Sequence, residues 1–521
     1  MITKEIDCIP ANSRVFIYGV GSAGKSLFMW LKKCRSDVRI LGFIDSFASG
    51  RIARQRIYRF DSFLDEIQPE RYDFIVVASG ANAEIVRRLE DSDIKNVAVI
   101  SIPSYLMENL WPIPLAERLR EWKLRWKRLW VKRENIHLFF GEHGGTFIGN
   151  NKYYYLYLKE QYLKEQRNSR IYWVAENKTI IDALKSSGID VLDFNDTNVT
   201  DYLFKASYFY FDNMTWQRKY PWLRFFKAKM IHMSHGVGLK LTERMLIPEA
   251  FMNSLTPSET RQLDSKIFKN DLLISTSDFY ARNVSSPAYS TPLDRIICSG
   301  YPKNDIFYRE RQGETIFTDV EIIDNIDALK KENYKIIVYA PTFRDMDSSF
   351  MYADSIDDTH LNRYLVEHKL ILVIKGHTSI NTNKIKTKRF FQKEPLVVED
   401  NIWIYQNDRD GYPLLKRADL LITDYSSIYM DFLHARKPVV FFVYDYDDYI
   451  THHRDIQFDY ETMTPGPKAK NYNELIRWIS HFLVDGKDGF ESERKRIFDL
   501  AFTHHDGESS ARIEQAILKL G

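Results

Sequence analysis

From about residue 136 to the end of the chain, short apolar runs alternate with stretches of helical periodicity, and each run ends in polar or glycine residues. Examples are Met230–Met233, Lys335–Tyr339 and Leu420–Thr423. Such runs, separated by helices, are typical of parallel strands whose two faces are both covered. Because the carboxyl ends of parallel strands meet at one edge of a sheet, the polar residues that follow them converge there. The pattern predicts an α/β fold of doubly wound parallel sheets with a site at that edge.

Length and composition narrow the class of protein. A chain of 521 residues is too long for one ordinary core, which favours about three domains. It is 44% hydrophobic and 28% charged, as expected of a globular protein rather than a disordered or fibrous one. The formal net charge of +2 provides no global attraction to nucleic acid, so we expect no nucleic-acid partner.

Three features bear on the compartment. The cysteines Cys8, Cys34 and Cys298 are far apart and show no CxxC spacing, which argues against a disulfide framework or a zinc site. The first residues lack the apolar run of a signal peptide, and no apolar stretch approaches the length of about 18 residues that a membrane span needs. We therefore expect a cytoplasmic protein, or one that is peripheral on the cytoplasmic face of the membrane.

Residues 1–105 carry the pattern of a Rossmann-like accessory domain. A short apolar strand leads into a turn that matches both GxGxxG, through Gly19, Gly21 and Gly24, and the P-loop pattern GxxxxGKS. A second strand ends on Asp45, where a dinucleotide-binding fold places its ribose-binding carboxylate. No apolar strand ending in a magnesium-binding Asp accompanies the turn, which disfavours the P-loop. Two interpretations stay open: a nucleotide bound by these four residues, or glycines that serve only strand–helix packing.

Residues 106–135 form a basic, tryptophan-rich connector. Within 115–133, Leu and Trp recur at helical spacing, and the remaining positions include eight Lys or Arg against two Glu. Aromatic and aliphatic residues opposite many cations are typical of a helix that lies in an anionic membrane interface, here the inner membrane surface. The alternative is a connecting helix whose apolar stripe packs on a neighbour and whose charges are solvated.

A histidine follows the apolar run Met230–Met233. His235 stands in Ser-His-Gly, where glycine lets a ligand approach the backbone and where a doubly wound sheet builds its active site. An imidazole in this position suits a base near neutral pH, although a lone histidine is more often structural.

Later strand ends carry groups suited to a pyrophosphate. Arg344 suits bidentate pairing with phosphate oxygens, and His377 is placed to donate to a phosphate or a leaving group. Ser426 and Ser427 fall where a helix is predicted to begin, which suits an anion as well as an ordinary N-cap. Asp431 suits ribose hydroxyls or, equally, a structural partner for Lys or Arg.

Taken together, these segments resemble the CDP-glycerol glycerophosphotransferase family, the teichoic acid and capsule polymerases of GT-B fold. The resemblance covers roughly residues 136–521, and its motifs occur in the family's order. Two of them depart from the family pattern, since no Thr-Pro follows His235-Gly236 and no Pro follows His377. The segments are His235-Gly236 through Lys240; Gly300–Asp305, with Lys303 where the family has Arg; Tyr339–Asp345; Thr423–Asp431; and Phe458–Glu461 with Pro465–Pro467.

The resemblance implies a GT-B pair, with an N-terminal acceptor domain at 136–312 and a C-terminal CDP-donor domain at 313–521. It implies transfer of glycerol phosphate or ribitol phosphate from CDP-glycerol or CDP-ribitol to a polyol-phosphate or glycan acceptor, lipid-linked in this expectation, with release of CMP and no cofactor or metal. His235 and His377 are the expected catalytic residues. The expected donor-binding residues are Gly236, Lys240, Lys303, Asn304, Thr342, Arg344, Thr423, Asp424, Ser426, Ser427 and Asp431.

Two acidic segments, Asp345–Asp347 and Asp445–Asp448, imitate the DxD metal motif of another glycosyltransferase fold, and we interpret neither as a metal site. Three other functions remain as alternatives. The first is a GT-B glycosyltransferase that uses a nucleotide sugar in surface polysaccharide synthesis. The second is a non-catalytic scaffold of a membrane polymer-assembly complex. The third, an NAD-dependent oxidoreductase, rests on the Gly19–Gly24 turn and Asp45 alone.

Overall fold

The computed structural model describes residues 2–3, 9–52, 54–78, 82–100, 115–164, 170–247, 249–267, 270–342, 358–376, 401–446, 449 and 456–520. The chain forms two units. Unit 1 comprises Met1–Arg118 together with Thr242–Phe268, and unit 2 comprises Leu119–Leu241 together with Lys269–Gly521.

Unit 1 contains a seven-stranded sheet in the order β1-β7-β6-β2-β3-β5-β4. Its pairings are parallel except for the antiparallel pair β4–β5. The strands are β1 (Ile2–Thr3), β2 (Arg14–Tyr18), β3 (Arg39–Asp45), β4 (Gly50–Ile52), β5 (Gln55–Arg59), β6 (Phe74–Val77) and β7 (Val97–Val99). The helices are Ser22–Cys34, Phe60–Glu66, Asn82–Asp91, Glu249–Ser254 and Pro257–Ile267.

The last two helices of unit 1 come from far along the chain. The sequence assigned 242–268 to the domain at 136–312, but the helix Glu249–Ser254 packs against Ser22–Cys34, and Lys33 Nζ lies 2.7 Å from Glu259 Oε2. The segment lies in the chain between Lys229–His232 and Leu272–Ser275, two strands that pair in unit 2. The periodicity of its sequence indicates only that it is helical. Because periodicity does not record which sheet a helix covers, the assignment to 136–312 is corrected for these residues.

The first sheet of unit 2 has seven strands in the order β10-β9-β8-β11-β12-β13-β14, and every pairing is parallel. Its strands are nearly continuous apolar runs because helices cover both faces. They are β8 (Ile136–Phe140), β9 (Arg170–Ala175), β10 (Val191–Asp193), β11 (Tyr208–Phe211), β12 (Lys229–His232), β13 (Leu272–Ser275) and β14 (Ile296–Cys298). The helices are Gly149–Lys164, Lys178–Ser186, Val199–Lys205, Thr215–Lys219, Asp278–Tyr280 and Ser286–Tyr289.

The second sheet of unit 2 has six strands in the order β17-β16-β15-β18-β19-β20, also all parallel. The strands are β15 (Lys335–Tyr339), β16 (Leu370–Lys375), β17 (Ile402–Tyr405), β18 (Leu420–Thr423), β19 (Val439–Phe442) and β20 (Lys468–Ala469). The helices are Val320–Lys331, Asp358–Glu367, Tyr412–Arg417, Ile428–Phe432, Tyr460–Met463, Tyr472–Ile479, Glu491–Ala501 and Ser509–Leu518.

Buried polar contacts tie the two sheets of unit 2 together. Lys152, from the helix after β8, places Nζ 2.7 Å from Asp410 Oδ2, and both side chains are buried. The Asp305 carboxylate, which follows β14, accepts the backbone N–H groups of Ser509 and Ser510, each at 3.0 Å. Asp305 thereby caps the C-terminal helix, so that this helix is held by the first sheet region.

The predicted α/β class with parallel sheets is confirmed, and the predicted boundaries at 105/106, 135/136 and 312/313 stay predictions. Among the described helices, none combines the length and the apolar character that crossing a bilayer requires.

Candidate active site

His235 is presented by a tight turn at the carboxyl end of β12. Ser234 adopts the left-handed conformation at φ 61°, and its backbone N–H donates to His232 Nδ1 at 3.2 Å. The Asn150 carboxamide donates to the carbonyls of Met233 and Ser234 at 3.0 and 2.9 Å. A non-glycine residue at positive φ persists only where its surroundings hold it. The buried Asn150 therefore fixes the backbone immediately before His235.

The His235 ring pairs with a glutamate that the sequence analysis did not single out. Nδ1 of His235 lies 3.0 Å from Glu142 Oε1. The imidazole side chain is 66% exposed, whereas the Glu142 side chain is only 4% exposed. The Glu142 carboxylate raises the pKa of His235, first through its charge and then through the hydrogen bond. Burial works to raise the pKa of Glu142, but the charge and hydrogen bond of His235, together with the charges of His143 and Lys303, outweigh burial, and the pKa is lowered.

The turn that carries His235 also faces residues of the second sheet. Lys303 Nζ donates to the His235 carbonyl at 2.8 Å and lies 3.0 Å from Asp431 Oδ2, with both side chains of this ion pair buried. A Cβ atom added to Gly236 would lie 3.4 Å from Lys303 Nζ and 3.8 Å from Ser427 Oγ. The structure thus brings together five of the predicted residues, and a side chain at position 236 would contact both Lys303 and Ser427.

Asp431 and Asn304 are buried in this region with part of their hydrogen-bonding capacity unused. Asp431 Oδ2 also accepts from the Tyr412 hydroxyl at 2.7 Å, whereas its Oδ1 has no hydrogen-bond partner among the described residues. Asn304 is 2% exposed, and both polar atoms of its carboxamide likewise lack a partner within the described part of the chain. Buried polar groups are normally paired, so these atoms are candidates for contacting a substrate.

Thr342, Thr423 and Asp424 make contacts that hold two strand ends together. The Thr423 hydroxyl donates to the Ala340 carbonyl at 2.7 Å. The backbone N–H groups of Thr342 and Tyr425 donate to Asp424 Oδ1 at 2.8 and 2.6 Å. These bonds join the end of β15 to the end of β18, and the donor-binding role expected of the three residues stays a prediction.

The helix that begins after Ser426 and Ser427 is too short for its dipole to bind an anion. The helix runs only from Ile428 to Phe432, and the backbone N–H of Ile428 donates to Ser426 Oγ at 3.4 Å. Because the macrodipole is a sum over aligned peptides, one turn contributes little of it. The hydroxyls themselves are then the relevant donors at this position.

Lys240 lies on the segment that follows the His235 turn. It forms an isolated antiparallel bridge with Ile456, and its Nζ lies 5.2 Å from the centroid of the Tyr449 ring. Tyr449 in turn stacks on Tyr425 at 3.8 Å. Whether Lys240 contacts the donor stays a prediction.

Arg344 and His377 lie outside the described residues, as do Asp345–Asp347 and residues 447–448. In the described ranges, no group of three or more His, Cys, Asp or Glu side chains could hold a metal ion. Asp445 accepts a hydrogen bond from the Tyr425 hydroxyl at 3.1 Å, which gives this carboxylate a structural partner.

In unit 1, two of the three glycines of the turn have a folding reason. Gly19 adopts φ 105°, and a Cβ on Gly24 would lie 1.8 Å from the Gly19 carbonyl oxygen. A Cβ on Gly21 would meet nothing within 4 Å. Asp45 accepts backbone N–H groups of Val20, Phe47 and Ala48. Close strand–helix packing therefore accounts for Gly19 and Gly24, and nucleotide binding by the four predicted residues stays a prediction.

The helix Leu115–Trp130 exposes its apolar stripe and packs through part of its basic face. Trp122, Trp126 and Trp130 are 61%, 56% and 77% exposed. The rings of Trp122 and Trp126 stack with their centroids 6.0 Å apart. On the other side, the Arg120 guanidinium lies 4.2 Å from the Trp222 ring, and Arg128 donates to the Phe225 carbonyl at 3.2 Å. This arrangement is the reverse of a connector whose stripe is buried and whose charges are solvated.

Glu142, Asn150 and Tyr412 were not predicted from the sequence. The rule that predicted His235 also points to Glu142, because Glu142 follows β8 after a single glycine, at the carboxyl edge of the sheet. Asn150 and Tyr412 stand on helices, and no spacing in the sequence connects them to the residues that they contact.

Comparison with known proteins decides the family. The sequence profile described as CDP-Glycerol:Poly(glycerophosphate) glycerophosphotransferase matches residues 122–519. The chain belongs to this family. One similar protein is a teichoic acid glycerol-phosphate transferase of Staphylococcus aureus, which is 29% identical over 48% of this chain and 60% of that protein. Another is a teichoic acid poly(ribitol-phosphate) polymerase of Bacillus spizizenii, which is 29% identical over 44% of this chain and 37% of that protein. The matches thus cover less than two thirds of these relatives.

A longer but weaker match is the teichoic acid poly(glycerol phosphate) polymerase of Bacillus spizizenii, 26% identical over 74% of this chain and 93% of that protein. Among solved structures, the wall teichoic acid polymerase TagF aligns with a TM-score of 0.59 and 21% identity, covering 80% of this chain and 96% of that chain. At this identity the structural likeness establishes the fold that the chain shares with other family members.

Proposed function

We propose that this protein transfers glycerol phosphate or ribitol phosphate from CDP-glycerol or CDP-ribitol to a hydroxyl group of a cell-surface polymer or lipid-linked acceptor, releasing CMP. Family membership supports the class of reaction. The observation that carries the proposal for this chain is the His235 turn, where an exposed imidazole pairs with the buried Glu142 and where the backbone is held by Lys303 next to Ser427.

His235 acts as the general base in this proposal. Its Nδ1 is taken by Glu142, so Nε2 is the nitrogen left to face the acceptor. The acceptor oxygen attacks the phosphorus that bears the alditol, and its proton passes to His235 Nε2. The bond between that phosphorus and the bridging oxygen of the pyrophosphate breaks, and CMP leaves with the electron pair.

The donor pyrophosphate lies against the ends of β15 and β18 in this proposal. Ser426 and Ser427 supply hydroxyl donors, and Lys303 supplies a cation beside them, while Arg344 and His377 would complete the set. Fixed donors and positive charge are what phosphoryl transfer chiefly requires. CDP-alditol is a substrate, so no separate cofactor is required in this scheme.

We further propose that unit 2 is a GT-B pair and that unit 1 is a Rossmann-like accessory domain. The all-parallel order of the two sheets in unit 2 and the likeness to the TagF fold support the pair. The parallel core of the unit 1 sheet and the glycine turn after β2 support the accessory assignment.

The exposed tryptophans of Leu115–Trp130 support attachment to the cytoplasmic face of an anionic membrane. Trp122 and Trp126 lie on one side of the helix, and the exposed cations of the segment 115–133 include Lys123, Lys132 and Arg133. Interfacial tryptophan next to lysine and arginine is the composition that binds anionic lipid surfaces. Such a position would bring the site close to a lipid-linked acceptor.

CMP release tests the proposed reaction. Wild type, His235→Ala and the control His481→Ala are incubated with CDP-glycerol or CDP-ribitol and a lipid-linked or short polyol-phosphate acceptor. We expect acceptor-dependent CMP release that His235→Ala reduces at least ~100-fold and His481→Ala preserves. Release from neither donor with any acceptor would favour a nucleotide-sugar enzyme of the same fold. Full polymer assembly by His235→Ala in cells would favour a scaffold.

A further inference from the structure

Glu142 and His235 follow two strands of the first sheet in unit 2 that are separated by one strand. Glu142 follows β8 and His235 follows β12, and both strands pair with β11, which lies between them. The two residues are 93 positions apart in the chain, so only the sheet brings the carboxylate and the imidazole to 3.0 Å.

The backbone around Glu142 is held by hydrogen bonds on both sides. The Glu142 carbonyl accepts from the N–H groups of Gly145 and Thr146 at 2.7 and 2.8 Å, and from the Thr146 hydroxyl at 2.9 Å. The Trp216 indole donates to the Gly141 carbonyl at 2.6 Å. Glu142 is therefore a fixed, buried carboxylate, unlike a surface glutamate that samples many rotamers.

An ionised carboxylate can only accept hydrogen bonds. Glu142 thus requires Nδ1 of His235 to carry its proton, which leaves Nε2 as the free base and fixes the plane of the ring. Without this partner, an imidazole that is two-thirds exposed would rotate about its side-chain torsions and exchange tautomers.

We propose that Glu142 is a positioning residue that holds the His235 imidazole in the Nδ1–H tautomer with Nε2 facing the acceptor hydroxyl. The proposal rests on the proposed transfer reaction, in which His235 is the base. Glu142 contacts no reacting atom and acts only through His235.

Other charged groups face the pair and contribute to its titration. His143, Asp212 and Lys303 act on Glu142, while Lys303, Asp431 and His232 act on His235. Burial, followed by the charge of Glu142, raises the pKa of Asp212 well above its usual range, so that Asp212 favours its neutral form beside the ionised Glu142.

The sign of the pH dependence follows from the raised pKa of His235. The base must be neutral, so kcat/KM should rise with pH through a value above the usual ~6.5 of histidine. Glu142→Gln removes the charge that raises this pKa, so the acidic limb should move to lower pH. Its plateau should fall at least ~10-fold, because an amide can donate as well as accept and no longer selects the tautomer.

The first measurement is nitrogen NMR of the full-length protein with labelled histidine, with the His235 signal assigned by its loss in His235→Ala. Wild type should show the Nδ1–H tautomer at high pH and a pKa above ~6.5. An Nε2–H tautomer, or an unraised pKa, would overturn the proposal even if no Glu142 variant folds. This measurement needs no substrate, so it remains informative if the transfer reaction itself is not observed.

The second measurement is the pH profile of CMP release by wild type, Glu142→Gln, Glu142→Asp and Glu176→Gln. Glu176 follows the neighbouring strand β9 and pairs with Lys219 at 2.5 Å, which makes it a charge-matched control. We expect the acidic limb of the pH profile to move to lower pH in Glu142→Gln only. In Glu142→Asp, which keeps the carboxylate, the limb should stay at the wild-type position. A loss of rate with no movement of the limb would reduce Glu142 to a structural role and contradict the proposal.

Discussion

Lys303 contacts both His235 and Asp431: its Nζ donates to the His235 carbonyl at 2.8 Å and lies 3.0 Å from Asp431 Oδ2. His235 follows a strand of the first sheet in unit 2, and Asp431 lies on a helix that follows a strand of the second. One buried ammonium therefore fixes the backbone of the candidate base against the region proposed to bind the donor.

Removing one member of this pair should destabilise unit 2. Lys303→Met leaves the buried Asp431 carboxylate with the Tyr412 hydroxyl but without its cation, and breaking a buried pair typically costs about 3–5 kcal/mol. We expect a clearly lower thermal midpoint and loss of CMP release. Lys159→Met, which removes the half-exposed partner of Asp190, is the control and should leave the midpoint nearly unchanged. Equal midpoints for both variants would show that the Lys303 pair contributes little.

The glycine turn of unit 1 offers a matched pair of substitutions. Gly24→Ala places a methyl group 1.8 Å from the Gly19 carbonyl oxygen, whereas Gly21→Ala meets nothing within 4 Å. We expect Gly24→Ala to destabilise unit 1 by at least ~1–3 kcal/mol, because the helix must move away from the strand, and Gly21→Ala to be neutral. Hydrogen exchange of the β2 and β3 peptides measures this. Equal exchange in both variants would contradict the packing account.

The tryptophan helix should determine lipid binding if it lies on a membrane. Trp122→Ala combined with Trp126→Ala removes two exposed rings and should lower partitioning onto phosphatidylglycerol-containing vesicles at least ~10-fold. Leu163→Ala, at another exposed apolar side chain, is the control. Sedimentation with vesicles measures the effect, and unchanged binding of the double variant would place the lipid contact elsewhere.

Three buried histidines should make unit 2 sensitive to acid. Burial lowers the pKa of His137, His232 and His434 to about 3. In the unfolded chain these histidines have a pKa of ~6.5, so below that pH the unfolded chain binds protons and the folded chain does not. The free energy of unfolding therefore falls as the pH falls toward 3, by up to ~1.4 kcal/mol per pH unit for each histidine. Thermal midpoints from about pH 7 to about pH 5 should fall less steeply in His434→Gln. An unchanged slope would mean that His434 is protonated in the folded protein.

Local sequence information was enough to predict the α/β class and the approximate strand positions, and it placed the candidate site at the carboxyl edge of the sheets. These follow from local information, because alternating apolar runs and helices specify parallel strands, and polar residues at strand ends need no partner to be recognised. His235, Gly236, Ser427 and Asp431 were predicted this way, and Lys303 was predicted from the family resemblance.

Tertiary structure alone decided which side chains meet. The contacts of Glu142 with His235, Asn150 with the Ser234 carbonyl and Tyr412 with Asp431 join residues that are far apart in the chain. The order of strands within a sheet sets such contacts, and periodicity does not encode that order. The same reason explains why 242–268 packs with unit 1 and why the basic helix packs Arg120 and Arg128 against its neighbour while it exposes tryptophans. A pattern records that a face exists, and only packing decides what covers it.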